Sequence, residues 1–235
     1  MKIVLFDIDG TLVSVRGAGR QALQLALQDI TGVAGTLEGV RLAGSTDPVI
    51  VEHALAQHLG RALSGPEELA RILDAYLAHL PRELEALAGT LHVYPGAHAL
   101  LSALVATGRH MVGLATGNVE AGAFIKLRAA GLDAHFGFGG YGSDAACRTT
   151  LVRRGIERGQ DAAYAAVGRR PEPAEAVVIG DTERDVEAAR AAGAVAVGVL
   201  AGCADPDALA RSRPDLTVSS LDDPELWRFL EVEGR

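Results

Sequence analysis

Asp7 and Asp9 stand two positions apart in VLFDIDGTL, where an apolar run is about to be buried. In a strand, positions i and i+2 face the same way, so both carboxylates can point to one side of a sheet edge. Burying a carboxylate is costly without compensation, and two like charges repel. Either the pair is solvated in a loop or a cation sits between the two groups. A second acidic stretch, GDTERD, sets Asp181 at the end of another apolar run and Asp185 one helical turn later. Carboxylates meeting at one edge favour a hard, oxygen-seeking dication such as Mg2+. Between these stretches, ATGN places Thr116 at the end of a third run, with Gly117 and Asn118 opening a helical segment. A hydroxyl and free N–H groups at a helix start suit a phosphate oxygen.

DxDGT at Asp7–Thr11, Thr-Gly-Asn at Thr116–Asn118 and GDxxxD at Gly180–Asp185, in that order and each at a strand end, resemble the haloacid dehalogenase superfamily. The likeness is to its phosphatase branch, of the phosphoglycolate phosphatase type. It implies that Asp7 is the nucleophile and becomes an aspartyl phosphate, and that Asp9 is the general acid and base. It also implies Mg2+ held by the Asp7 carboxylate, the Asp9 carbonyl and Asp181, with Asp185 close by. Thr116, Gly117 and Asn118 would steady the phosphoryl oxygens.

The family also carries a lysine or arginine, commonly in a Lys-Pro pair, before the last acidic motif. Here FGFGGYGSDAACRTTL has neither lysine nor proline, and Arg148 falls about where the cation belongs. Lys126, on the helix after Thr116, is the alternative. In GSTDP, Asp47 reads as the N-cap of a helix whose first residue is Pro48. A similar Gly-x-Thr-Asp near the substrate of phosphoglycolate phosphatases gives Thr46 and Asp47 a second reading, as substrate-binding residues. Arg16, Arg20 and Arg41 are either surface arginines or clamps for a substrate carboxylate or second phosphate, and Arg16 is assigned to the substrate.

These residues need a scaffold. KIVLFD, HMVGLATGN, AEAVVIGD, AVAVGVL and a weaker LTVSSL read as strands. Helical patterns over Ala97–Ala106, Val119–Ala130 and Thr182–Ala192 alternate with them, the last two each stopping at a glycine. Such alternation predicts a Rossmann-like parallel sheet flanked by helices, an α/β core. RQALQLALQDITG, PVIVEHALAQHLG and PEELARILDAYLAHL break the pattern as amphipathic helices. Residues 14–91 are therefore expected to form an inserted all-helical cap domain, and residues 1–13 and 92–235 the core.

Composition excludes several classes. With a net charge of −8 and no basic block, nucleic acid and anionic membrane are poor partners. The run Ile3–Phe6 is too short for a signal segment, and no stretch approaches the ~18 apolar residues of a membrane span. Cys147 and Cys203 form no metal or redox spacing, which suits the cytoplasm, and Cys147 is assigned no role. The seven histidines show no ligand spacing and read as surface or cap residues. GFGGYG matches a dinucleotide-binding spacing but comes late and lacks the strand–turn–helix setting, so it reads as a flexible connection to Arg148.

Within the superfamily, a dehalogenase would lack the second aspartate, and a phosphonatase would need a cap lysine, of which residues 14–91 contain none. A hexose-phosphate mutase shares the core and stays open; a non-catalytic phosphate- or metal-binding regulator would have no need of Asp9. The resemblance thus implies a Mg2+-dependent phosphatase for a small phosphorylated metabolite, with 2-phosphoglycolate as the candidate substrate. Oligomeric state is not legible.

Overall fold

The computed structural model describes residues 1–86 and 91–232. Strand β1, Lys2–Phe6, is the centre of the molecule, and it alternates strictly. Val4 and Phe6 join one buried cluster while Ile3 and Leu5 join another on the opposite face, as a period of two dictates. Strand β1 pairs in parallel with β4 (His110–Ala115) on one side and β6 (Ala176–Gly180) on the other. The edge strand β5 (Gly139–Gly140) adds beyond β4, and β7 (Val195–Val199) and β8 (Leu216–Val218) beyond β6. Counting these six strands along the chain, the sheet order is 3-2-1-4-5-6, the doubly wound order whose ligand crevice lies where the winding reverses, beside β1.

Register does the positioning. Phe6 lies opposite both Leu114 and Ile179, so Asp7, the residues leading to Thr116, and Asp181 all emerge at one level of the carboxyl edge. Helices α6 (Arg148–Val167) and α7 (Glu183–Ala191) cover the Ile3/Leu5 face. Gly155 and Gly159 let α6 lie close, since a Cβ there would come 3.0 Å from Leu5 and 2.8 Å from Ile3 respectively. The other face is covered by α4 (Ala97–Ala106) and α5 (Glu120–Ala129), through Leu100, Leu104, Ala123 and Leu127. Short helices α8 (Pro206–Arg211) and α9 (Pro224–Phe229) close the carboxyl-terminal part.

Two-residue strands β2 (Val13–Ser14) and β3 (His92–Val93) pair antiparallel and bracket a helical block. It consists of α1 (Ala18–Thr31), α2 (Asp47–Leu59) and α3 (Pro66–Ala86). Along α3, Ile72, Tyr76, Leu80 and Leu84 recur every fourth residue and form the buried stripe. Helices α1 and α3 pack on each other, and their apolar residues merge with the cluster on the Val4/Phe6 face.

All five strands and the six helical segments expected from the sequence are present. The ribbon β2–β3, the glycine strand β5 and helices α6, α8 and α9 are additional. The segment around Gly137–Gly142 corrects its expectation of a flexible connection. Gly139 and Gly140 are buried in the sheet, and a Cβ at Gly140 would lie 1.7 Å from the Leu151 carbonyl oxygen. His110 is a second correction: it is buried in β4 rather than on the surface or in the helical block, and among the described residues neither ring nitrogen has a partner. Burial, with Lys2 and Arg109 nearby, pulls its pKa down.

Candidate active site

Asp7 follows β1 directly, and its N–H still donates to Ile179 O at 2.9 Å, so the residue is held as part of the sheet. The chain then turns sharply: Ile8 O accepts from the N–H groups of Leu12 and Val13 at 2.9 and 3.0 Å. Gly10 sits at φ 86, where a side chain is strained, and a Cβ there would lie 2.2 Å from Asp181 Oδ2. The glycine thus clears the volume that the Asp181 carboxylate occupies.

Asp7, Asp181 and Asp185 each offer a carboxylate oxygen within 4.8 Å of the others, and all three are buried. Burial raises the pKa of both Asp7 and Asp181; the neighbouring carboxylates add to the rise and Arg148 opposes it. Oxygen-only donors, repelling one another in a desolvated cleft, fit a hard divalent cation.

Arg148 is the first residue of α6 and is buried beside these acids. Its Nε donates to Asp185 Oδ1 at 2.8 Å and its Nη1 to Gly44 O at 3.3 Å. Nη2 lies 2.9 Å from Asp7 Oδ2 and 2.5 Å from Asp185 Oδ1. Arg148 thus bridges the Asp7 and Asp185 carboxylates as an ion pair, although among the described residues no Nη2 contact is aligned as a hydrogen bond. Asp185 is no exposed helix-face acid: it is 2% exposed and accepts from Thr182 N at 3.1 Å and Thr182 Oγ1 at 2.6 Å, the capping box of α7. Thr182, not Asp181, caps that helix.

Asp9 belongs to a second cluster. Its Oδ2 accepts from Lys126 Nζ at 2.6 Å and from Asn118 Nδ2 at 2.8 Å. Lys126 also donates to Asn118 Oδ1 at 2.6 Å, and Asn118 Nδ2 reaches Thr116 Oγ1 at 2.8 Å. Thr116 is fully enclosed.

The helical block meets the core on this cluster. Asp47 N donates to Gly117 O at 2.8 Å, and Val119 N donates to Asp47 Oδ2 at 2.8 Å. The expectation that Asp47 caps its own helix is corrected: Thr46 holds the N-cap position, Asp47 is the first helical residue, and its carboxylate caps α5 across the interface. Burial pushes the Asp47 carboxyl up to about 6, against Lys126 and the Val119 N–H. Thr46 is buried and its hydroxyl points to Ala146 O at 3.4 Å. Gly117 and Gly142 make this contact possible, since Cβ atoms there would lie 2.2 Å from Ser45 O and 2.1 Å from Gly117 O.

A cavity of about 340 Å³ lies between the sheet edge and the helical block. Asp7, Asp9, Asp181, Gly117, Asn118, Lys126 and Arg148 line its core side; Arg16, Arg20, Asp47 and Tyr76 are among those on the other, with Tyr94 beside β3. Arg41 is elsewhere, paired with Glu183, and Thr46 and Thr116 do not line the cavity. Tyr76 and Tyr94 were not legible as site residues. Tyr76 hides in the apolar stripe of α3, and Tyr94 follows a strand too short to recognise.

A doubly wound sheet that gathers acids and a guanidinium at its carboxyl edge, under a helical insertion, defines a class of α/β hydrolase. The chain belongs to the haloacid dehalogenase-like hydrolase family, whose family model matches residues 1–193. It is 33% identical over 196 residues to the phosphoglycolate phosphatase of Rhodospirillum rubrum, covering 82% of this chain and 76% of that one. It is 27% identical over 221 residues to the probable phosphatase IndB of Dickeya dadantii, covering 94% and 90%. Among solved structures, a hydrolase from Pseudomonas syringae shares the fold with a TM-score of 0.68 at 24% identity, over 98% of each chain. Among the described residues, no helix is long and apolar enough to cross a membrane.

Proposed function

We propose that this chain is a Mg2+-dependent phosphatase that hydrolyses a small phosphate monoester through an aspartyl phosphate on Asp7, with 2-phosphoglycolate the first candidate. The observation that carries the reading is the ion pair between the buried Asp7 carboxylate and Arg148, on the wall of a cavity also lined by Asp9 and Asp181. The relatives named phosphatases, one of them for phosphoglycolate, support it.

The Asp7 and Asp181 carboxylates and the Asp9 carbonyl, with Asp185 alongside, would hold Mg2+. The ion's charge would offset the repulsion between the incoming phosphoryl oxygens and these acids. An Asp7 oxygen attacks phosphorus as the bond to the leaving oxygen breaks, and Asp9 gives that oxygen its proton. Water then attacks phosphorus, its proton passes to Asp9, and inorganic phosphate leaves the regenerated Asp7 carboxylate. The Arg148 guanidinium offers a fixed cation to a phosphoryl oxygen, Gly117 and Asn118 line the floor beneath it, and the enclosed Thr116 orients Asn118 from behind.

Residues 14–91 act as the cap that excludes bulk water, with the rest of the chain as core. Asp47 and Thr46 seat the cap on the core, and Arg16 at the rim faces the leaving group. Two free thiols, Cys147 and Cys203, suit a cytoplasmic protein.

The test is hydrolysis of a panel of phosphorylated metabolites, 2-phosphoglycolate included, with Mg2+ and with chelator. Phosphate release that requires the metal is expected. An isomer in place of free phosphate, formed only with a sugar bisphosphate activator, would replace the reading by a hexose-phosphate mutase. No turnover of any ester would replace it by a binding protein.

A further inference from the structure

The cavity holds two buried cations, and they serve different aspartates. Arg148 lies against Asp7 and Asp185, whereas Lys126 lies against Asp9. Lys126 is one of only two lysines in the chain and is 5% exposed. Withdrawing an ammonium from water costs several kcal/mol, so its place in the middle of α5 calls for a reason.

The reason lies in what it holds. Lys126 Nζ, Asn118 and Asp9 Oδ2 form a closed triangle with sides of 2.6, 2.6 and 2.8 Å. The amide of Asn118 has a single orientation that satisfies it, Oδ1 toward the ammonium and Nδ2 toward the carboxylate and Thr116. Two donors therefore fix Oδ2 of Asp9, and among the described residues no hydrogen bond engages Oδ1, on a side chain that is 43% exposed toward the cavity.

The cap closes the other side of the ammonium. A Cβ at Gly19 of α1 would lie 3.4 Å from Nζ, and Tyr76 of α3 packs on α5 beside it, where a Cβ at Gly122 would come within 3.3 Å of the ring. Water is thus kept from the ammonium, while the Asp9 carboxylate stays open to the cavity.

We propose that Lys126 is the positioning residue for the acid–base aspartate, clamping Asp9 Oδ2 so that Oδ1 meets the leaving oxygen and later the attacking water. The inference rests on the phosphatase reading and adds to it a residue that does not touch the phosphoryl group. Arg148 takes that contact.

The two ester classes separate the roles. An alkyl phosphate needs its leaving oxygen protonated for Asp7 to be phosphorylated, whereas nitrophenolate leaves without help; both share the water step, which needs Asp9 as base. Lys126→Met is expected to lose about 10²-fold in alkyl phosphate turnover. On nitrophenyl phosphate it should give a stoichiometric burst of nitrophenolate and accumulate the acid-stable, hydroxylamine-labile phosphoenzyme in quench experiments. Lys126→Arg, which keeps a cation, should recover part of the alkyl activity. Equal losses on both esters, with no burst and no trapped phosphoenzyme, would overturn the proposal and make Lys126 a phosphate contact or a packing residue. Should the methionine variant fail to give a cooperative melt, Lys126→Gln carries the same two readouts. Wild-type protein inactive on both esters would instead remove the phosphatase reading itself.

Discussion

Arg148 and Lys126 are both buried cations at one sheet edge, yet their surroundings are charged differently. Around Arg148, three carboxylates face one guanidinium, an excess of two negative charges when all are ionised. That is the charge of one divalent ion. Around Lys126, one salt-bridged carboxylate faces the ammonium, an amide completes the shell, and the Asp47 carboxyl, raised by burial, lies further off. The first region is built to receive a cation and the second is complete without one. Metal dependence should therefore reside in the Asp7–Asp181–Asp185 carboxylates and not in the Lys126–Asp9 side-chain pair.

The largest break in that contrast is Asp7→Asn, which should abolish turnover, by 10³-fold or more on the scale of about 10³ and upward for loss of a covalent nucleophile, with an unchanged circular dichroism spectrum. Arg148→Ala comes next, because it leaves buried acids without their cation. A loss of about 3–5 kcal/mol in denaturant unfolding is expected, part of it returned by millimolar Mg2+. In wild type, Mg2+ should raise the melting temperature, and the increment should vanish in Asp181→Asn while surviving in Lys126→Met. A smaller effect belongs to Asp47→Ala, which unties the helical block from the α5 amino terminus. About 1 kcal/mol is expected from the lost N-terminal hydrogen bond, together with a raised KM.

The smallest effect lies within the helical block. Hydrogen bonds from Arg61, joined by the Ser64 N–H, hold the Glu68 carboxyl down to about 2 from its usual 4.5. Since the folded value is the lower one, this stabilisation is complete above the free value and fades as pH falls toward about 2. Glu68→Gln should flatten that part of a melting-temperature profile and leave turnover unaltered.

Much of this was legible because strand ends carry the chemistry. Asp7 and Asp181 close apolar runs that read as strands of one parallel sheet; that the two strands are neighbours, with a register that brings the acids level, comes from the structure. Arg148 was placed by counting along the chain, although the helix it opens was not recognised. That helix is polar on average and buries Gly155 and Gly159, which carry no apolar signal, against β1. Contacts of high sequence separation were invisible. Nothing local ties Asp9 to Lys126 across 117 positions, or Asp47 to Val119 across 72. Asp47 shows the point best: local pattern made it a cap of its own helix, and it caps another. Tertiary packing had the stronger claim on that carboxylate.

The polypeptide departs from the sheet through Val13–Ser14 and comes back through His92–Val93, a pair of neighbours joined by their own hydrogen bonds. The gap that any intervening segment must bridge is thus fixed by four residues, and lengthening the segment costs only about 0.6 kcal/mol per doubling in closure entropy. Such a splice behaves as a socket. Exchanging everything between its two prongs for the corresponding stretch of a relative should carry over that relative's choice of leaving group, while the reaction beneath proceeds as before.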